Sequence, residues 1–230
     1  MQAAALLRLL QLASPSLPIG AYSYSQGLEA ALEKGMVRNE ASARTWIVDM
    51  LHHVTARFEA PVLWRLLAAF EARDAGAVTQ WTERFLAARD TVEFRAETIQ
   101  MGYSLGKLAV DLADDLDVSD DGLRAILHAQ PEVPLPTALA YASVAMGVPH
   151  EAALLGMLFS WAENQVLVCV KSVPLGQVAG QRLLLSLQPE LERAAACAMR
   201  LTDEELSNWS PGLSLLSMQH EVQYSRLYRS

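Results

Sequence analysis

The chain has 230 residues, 52% of them hydrophobic, and a formal net charge of −8, with a pI near 5.1. That length fits a large domain with a sizeable core, and the acidic balance excludes nonspecific nucleic-acid binding, which needs a concentrated basic surface. The only cysteines, Cys169 and Cys197, do not call for a disulfide staple; both are read as buried thiols of a chain in a reducing cytoplasm.

Arg8 interrupts the first apolar residues and no small-residue cleavage pattern follows, so a secretory signal is not expected. The stretch Leu17-Pro18-Ile19-Gly20-Ala21-Tyr22-Ser23-Tyr24-Ser25-Gln26-Gly27-Leu28-Glu29 carries one charge, at its end. Pro18 fixes φ and Gly20 permits φ > 0, which predicts a shaped turn. Two tyrosines and two serines then lead into the helical pattern Leu28, Ala31, Leu32. Tyrosine joins a flat apolar body to a polar handle, a combination common in contact surfaces.

Helical spacing dominates the rest of the chain. Ile47, Met50, Leu51, Val54 and Phe58 form one stripe, and Pro61 opens a second helix with Leu63, Leu66, Leu67 and Phe70 inward. Asp74-Ala75-Gly76 ends it, and Val78, Trp81 and Phe85 mark a third. Asp90 or Thr91 caps a fourth, running to about Leu116 with Ile99, Leu105, Leu108 and Leu112 inward. Gly102 and Gly106 within it allow close helix approach, at a propensity cost of about 1 kcal/mol each.

A short helix is predicted over Gly122 to Ala129, then an irregular connection through Pro131 and Pro134. Pro136 opens a helix over Thr137 to Met146, and Gly147-Val148-Pro149 breaks it. Glu151 to Lys171 reads as a long, nearly all-apolar helix of a bundle centre or an interface. Its run Ala152 to Ala162 is too short to span a bilayer, so no membrane segment is expected. Pro174 and Gly176 interrupt the chain, and two helices follow, Gln177 to Leu187 and Pro189 to Met199. Period-two alternation is almost absent. The predicted fold is therefore all-α, a single-domain helical bundle over residues 1–200 with a flexible tail, 201–230, suited to binding partners.

Motifs for catalysis are missing: there is no phosphate-binding G-x-x-x-x-G-K-[ST] loop and no G-x-S-x-G elbow. The acidic run Asp111, Asp114, Asp115, Asp117, Asp120, Asp121 imitates an EF-hand start from Asp117, but its twelfth position is His128 instead of glutamate. It reads as a solvated helix end and turn. His52 and His53 are adjacent and point about 100° apart, so they do not chelate one ion. Cys169 sits in the apolar helix and is expected to be an inert, high-pKa thiol. Lys171 ends that helix, either complementing its dipole or serving as an inward or interface lysine. A pocket among Tyr103, Tyr141 and Trp161 is the alternative, that of a helical small-molecule binder or enzyme. The tail His220-Glu221-Val222-Gln223-Tyr224-Ser225-Arg226-Leu227-Tyr228 is rich in the residue types of interface hot spots, and reads as a segment that orders on binding.

Three stretches together resemble one family. Leu12 to Glu29 is similar to the opening of UreF urease accessory proteins. Lys171-Ser172-Val173-Pro174-Leu175-Gly176-Gln177, with Gly180-Gln181-Arg182, resembles their central motif, and His220 to Tyr228 their C-terminal motif. The resemblance implies an all-helical, homodimeric, non-enzymatic protein without a cofactor or metal site of its own. It implies work in nickel insertion into urease, between UreD (UreH in some systems) and the GTPase UreG on the urease apoprotein. It also implies partner contacts at Tyr22, with Ser23, Gln26 and Glu29, and at Arg226, with Tyr224 and Tyr228. Lys171 matches a lysine linked to gating of activation.

Overall fold

The computed structural model describes residues 2–116, 118–173 and 175–230. Asp117 of the acidic run and Pro174 after the apolar helix lie outside the described residues. Among those described the chain is all-α, with no strand. In chain order the helices are α1 (Ala3–Leu12), α2 (Leu28–Glu33), α3 (Glu40–His53), α4 (Glu59–Glu71), α5 (Ala75–Ala87) and α6 (Val92–Asp115). They continue as α7 (Asp121–His128), α8 (Leu135–Ala145), α9 (His150–Ser172), α10 (Gln177–Arg200) and α11 (Pro211–Glu221).

Local chemistry sets several of the starts. Asn39 and Ser42 form a reciprocal capping box at α3. Asp74, Thr91 and Asp120 each accept a backbone N–H of the first turn of α5, α6 and α7. Two members of the acidic run also make ion pairs, Asp120 with Arg73 and Asp114 with Arg124. Asp74 thus begins α5 instead of ending α4, which stops at Glu71. The stripe from Ile47 to Phe58 is not one helix. α3 ends at His53, a 3-10 turn spans Thr55–Arg57, and α4 starts at Glu59. Pro61 falls in the first turn of α4, where its missing N–H has no intrahelical partner to lose.

α9 lies at the centre, against α1, α2, α3, α4, α8 and α10. It is long and apolar enough to cross a membrane, yet Leu154, Leu158, Ala162, Val166 and Val168 are buried inside this bundle. It packs against α10, whose buried Leu183, Leu187 and Leu191 contribute about 2 kcal/mol each. Phe70 of α4 meets Tyr141 of α8 edge-on at 6.1 Å. Cys169 is fully buried, and desolvation pushes its thiol up to about 12. Cys197, by contrast, is only half-buried, because it lies beside the inward face of α10 formed by Ala194, Ala195 and Ala198.

Two further expectations differ. Pro189 does not divide α10, which runs unbroken through it. Leu183, Leu187, Leu191, Ala194 and Ala198 share one buried face on both sides of the proline, and that burial outweighs the lost hydrogen bond. The segment set apart as a flexible tail is anchored: it contains α11, and His220, Tyr228 and Ser230 are buried. In α6 the inward face carries Met101, Leu105 and Ala109, while Ile99, Leu108 and Leu112 are half-buried. The same face buries two glutamates, Glu93 and Glu97.

Candidate functional site

The site begins with a loop whose shape the sequence dictates. Gly20 and Gly27 take φ of 79° and 81°, conformations that suit glycine. Gln26 between them holds φ at 55°, which an L-residue adopts only when its surroundings enforce it. The enforcement is visible: Gln26 Nε2 donates to Glu97 Oε1 at 2.8 Å, and Trp161 Nε1 donates to Gln26 Oε1 at 2.8 Å. From α9, Asn164 donates to the Tyr24 carbonyl and Gln165 to that of Ser25.

The far end of the sequence closes over this loop. Arg229 N donates to the Ser23 carbonyl at 2.8 Å, and Ser25 donates from both N and Oγ to the Ser230 carbonyl. Ser230 Oγ donates to Glu97 Oε2. Glu29, at 8% exposure, accepts from the backbone N–H of Leu227 at 2.7 Å and of Tyr228 at 3.0 Å. His220 has no exposed surface. Its Nε2 lies 3.0 Å from Glu29 Oε2 and its Nδ1 2.9 Å from Glu93 Oε2. Arg226 Nη1 donates to Glu93 Oε1 at 3.0 Å. Segment 222–230 is thereby strapped to α2 and α6 by a buried polar clasp.

On the outer side of the strap is a groove of about 440 Å³, lined by Tyr22, Ser23, Lys171, Leu227, Tyr228 and Arg229. Lys171 is exposed in the last turn of α9, where a cation complements the helix dipole. Its Nζ sits 5.9 Å from the centre of the Tyr228 ring, a cation–π contact. The groove thus presents two cations and two aromatic rings.

Of the residues singled out in sequence, Tyr22, Tyr224 and Arg226 are exposed, and Ser23 and Gln26 are half-buried. Glu29 and Tyr228 are buried. Tyr22, Ser23, Lys171 and Tyr228 share the groove, while Gln26, Glu29 and Arg226 belong to the clasp behind it. Glu93, Glu97, His220 and Trp161 complete that clasp. Sequence reasoning missed the first two, although they continue the spacing of four that runs through Met101, Leu105, Ala109 and Ala113. Among the described residues Tyr103, Tyr141 and Trp161 do not come together around one pocket. Tyr141 is fully buried against Phe70, Trp161 bonds Gln26, and Tyr103 is exposed on a separate groove beside His128 and Val133. Among the described residues no three His, Cys, Asp or Glu side chains are arranged to hold a metal ion.

The sequence model of the UreF family matches residues 37–188, which include Lys171 but neither end of the clasp. Full-length relatives extend the similarity to both ends. The chain is 78% identical to the urease accessory protein UreF of Janthinobacterium sp. (strain Marseille), over all of both chains. It is 66% identical to that of Nitrosospira multiformis over 98% of each chain. It is 52% identical to that of Azoarcus sp. (strain BH72), over 98% of this chain and 95% of the relative. With a family match over more than half its length and relatives this similar end to end, the chain belongs to the UreF family of urease accessory proteins.

Proposed function

We propose that the chain is a non-enzymatic adaptor for incorporating nickel into urease in the cytoplasm. As a homodimer it bridges UreD/UreH and the GTPase UreG on the urease apoprotein, and it modulates GTP-dependent activation. Nickel is the cargo of this assembly. The observation that carries the reading is the meeting of three segments, far apart in sequence, on one face around Lys171 and the strap. A groove with two cations and two aromatic rings suits a polypeptide partner better than a small substrate.

Tyr22, Ser23, Tyr224, Arg226 and Tyr228 form the partner-binding set, with Gln26 and Glu29 holding their backbone. Arg226 bonds Glu93 through one of five N–H groups, so its guanidinium has donors left for an acceptor on a partner. Lys171, at the lip of the groove, is the gating residue through which partner occupancy is sensed.

The test is affinity capture from cells that co-express the urease operon. Arg226→Ala keeps an unfolding midpoint close to that of the wild type but recovers several-fold less UreD/UreH and UreG, and the urease carries less nickel per active site. Capture and nickel content at wild-type levels would overturn the assignment.

A further inference from the structure

The clasp buries three carboxylates, Glu29, Glu93 and Glu97, behind segment 222–230. Facing them are one guanidinium, Arg226, and one imidazole, His220. Both His220 nitrogens lie against carboxylate oxygens. Arg226 pairs with Glu93 at 3.0 Å. Glu97, 4% exposed, is left with dipoles only: Ser230 Oγ, and Gln26 Nε2 at 2.8 Å. Other charged groups lie around the clasp. Glu59 bonds Arg89 at 2.6 Å, Asp90 accepts from Ser214, and Lys171 lies over the Tyr228 ring.

We infer that Glu97 is a positioning residue whose proton controls the strap, holding segment 222–230 closed when the carboxyl is protonated and loosening it as pH rises. Burial pushes this carboxyl up to about 7 from 4.5, against the pull of the Ser230 and Gln26 donors; Glu59 adds slightly to the rise and Arg89 opposes it. Linkage gives the direction. The closed state, with the higher pKa, binds the proton more tightly than an open state in which water reaches Glu97. Closure is therefore favoured fully below about pH 4.5, and that advantage is lost as pH rises through about 7. A cavity of about 40 Å³, lined by Glu97, Gln26 and the exposed Asp90, is roomy enough for a water beside the buried group. Opening withdraws Leu227, Tyr228 and Arg229 from the groove, so the pH response reaches the interaction face. That consequence rests on the adaptor reading; the latch itself does not.

Hydrogen exchange of the isolated full chain tests it. The amides of Leu227, Tyr228 and Arg229 are measured at pH 5.5 and pH 8, each corrected for its intrinsic rate. At least about tenfold more opening is expected at pH 8 in the wild type, since each unit of pKa difference carries a factor of ten. Glu97→Gln, which keeps a hydrogen-bonding group and removes the titration, is expected to protect these amides equally at both pH values. A wild-type strap with pH-independent protection overturns the latch, whatever the variant does. An unchanged pH response in Glu97→Gln does so too. Partner capture separates the two readings, because a flat strap with intact capture defeats only the latch, and a pH-sensitive strap without capture defeats only the adaptor.

Discussion

His220 illustrates how a single side chain holds two ends of a sequence together. It reaches Glu29 from one ring nitrogen and Glu93 from the other, across 191 and 127 residues of sequence. Removing it takes a partner from two buried carboxylates, leaving Glu93 with the exposed Arg226 and Glu29 with the Leu227 and Tyr228 N–H groups. Breaking a buried charge set by deleting one partner costs about 3 kcal/mol or more. His220→Ala is therefore expected to lower the urea unfolding free energy by about that amount near neutral pH. Arg226→Ala, at the exposed rim of the same clasp, is expected to cost under about 1 kcal/mol. Equal midpoints for wild type and His220→Ala would show that the clasp does not stabilise the fold. The sequence marked His220 only as the start of a family-like motif. Its two partners lie on helices that the motif does not reach, which is why its role was not legible.

At the scale of elements, apolar periodicity and punctuation by proline, glycine and aspartate made most helices legible. Three were less so. α1 hides in a short apolar stretch, α11 is diluted by Gly212, Ser214 and Ser217, and Pro189 suggests a break that burial on both sides of it overrides. The glycine pair of α6 shows what periodicity cannot tell. A Cβ on Gly102 would lie 2.1 Å from the Val133 carbonyl oxygen and 2.7 Å from the Leu135 nitrogen, which are backbone atoms entering α8. A Cβ on Gly106 would meet Leu127, Val133 and Ala138 side chains at 3.8–4.0 Å, ordinary contact distances. Gly102→Ala must push α6 away from α8 and is expected to destabilise by about 2–3 kcal/mol, as overpacking does. Gly106→Ala is expected to be neutral or to stabilise by up to about 1 kcal/mol through helix propensity. Thermal unfolding of the two variants checks this, and similar losses at both positions would contradict it.

Across the whole molecule, carboxylates at two distant points set opposite limbs of the stability profile. Glu97 lies under the strap, and its raised pKa makes stability decline as pH rises between about 4.5 and 7. Glu190 of α10 works the other way. Arg193, first, and His52 hold its carboxyl down to about 2, and Arg44 of α3 adds a contact at 3.3 Å. A depressed carboxyl contributes stability that is fully present above its unfolded value of 4.5 and is lost as pH falls towards about 2. The site, unlike the helices, was legible only in outline. The family-like stretches named the groove, but the carboxylates behind it, Glu93 and Glu97, sit on α6 among ordinary helix residues. The acid limb can be isolated. Urea unfolding at pH 5 and pH 3 is expected to show the wild type losing stability at the lower pH. Glu190→Gln, which cannot titrate, is expected to start lower at pH 5 and to lose distinctly less on going to pH 3. Parallel losses in both proteins would place the acid sensitivity elsewhere and leave the α3–α10 contact as packing alone.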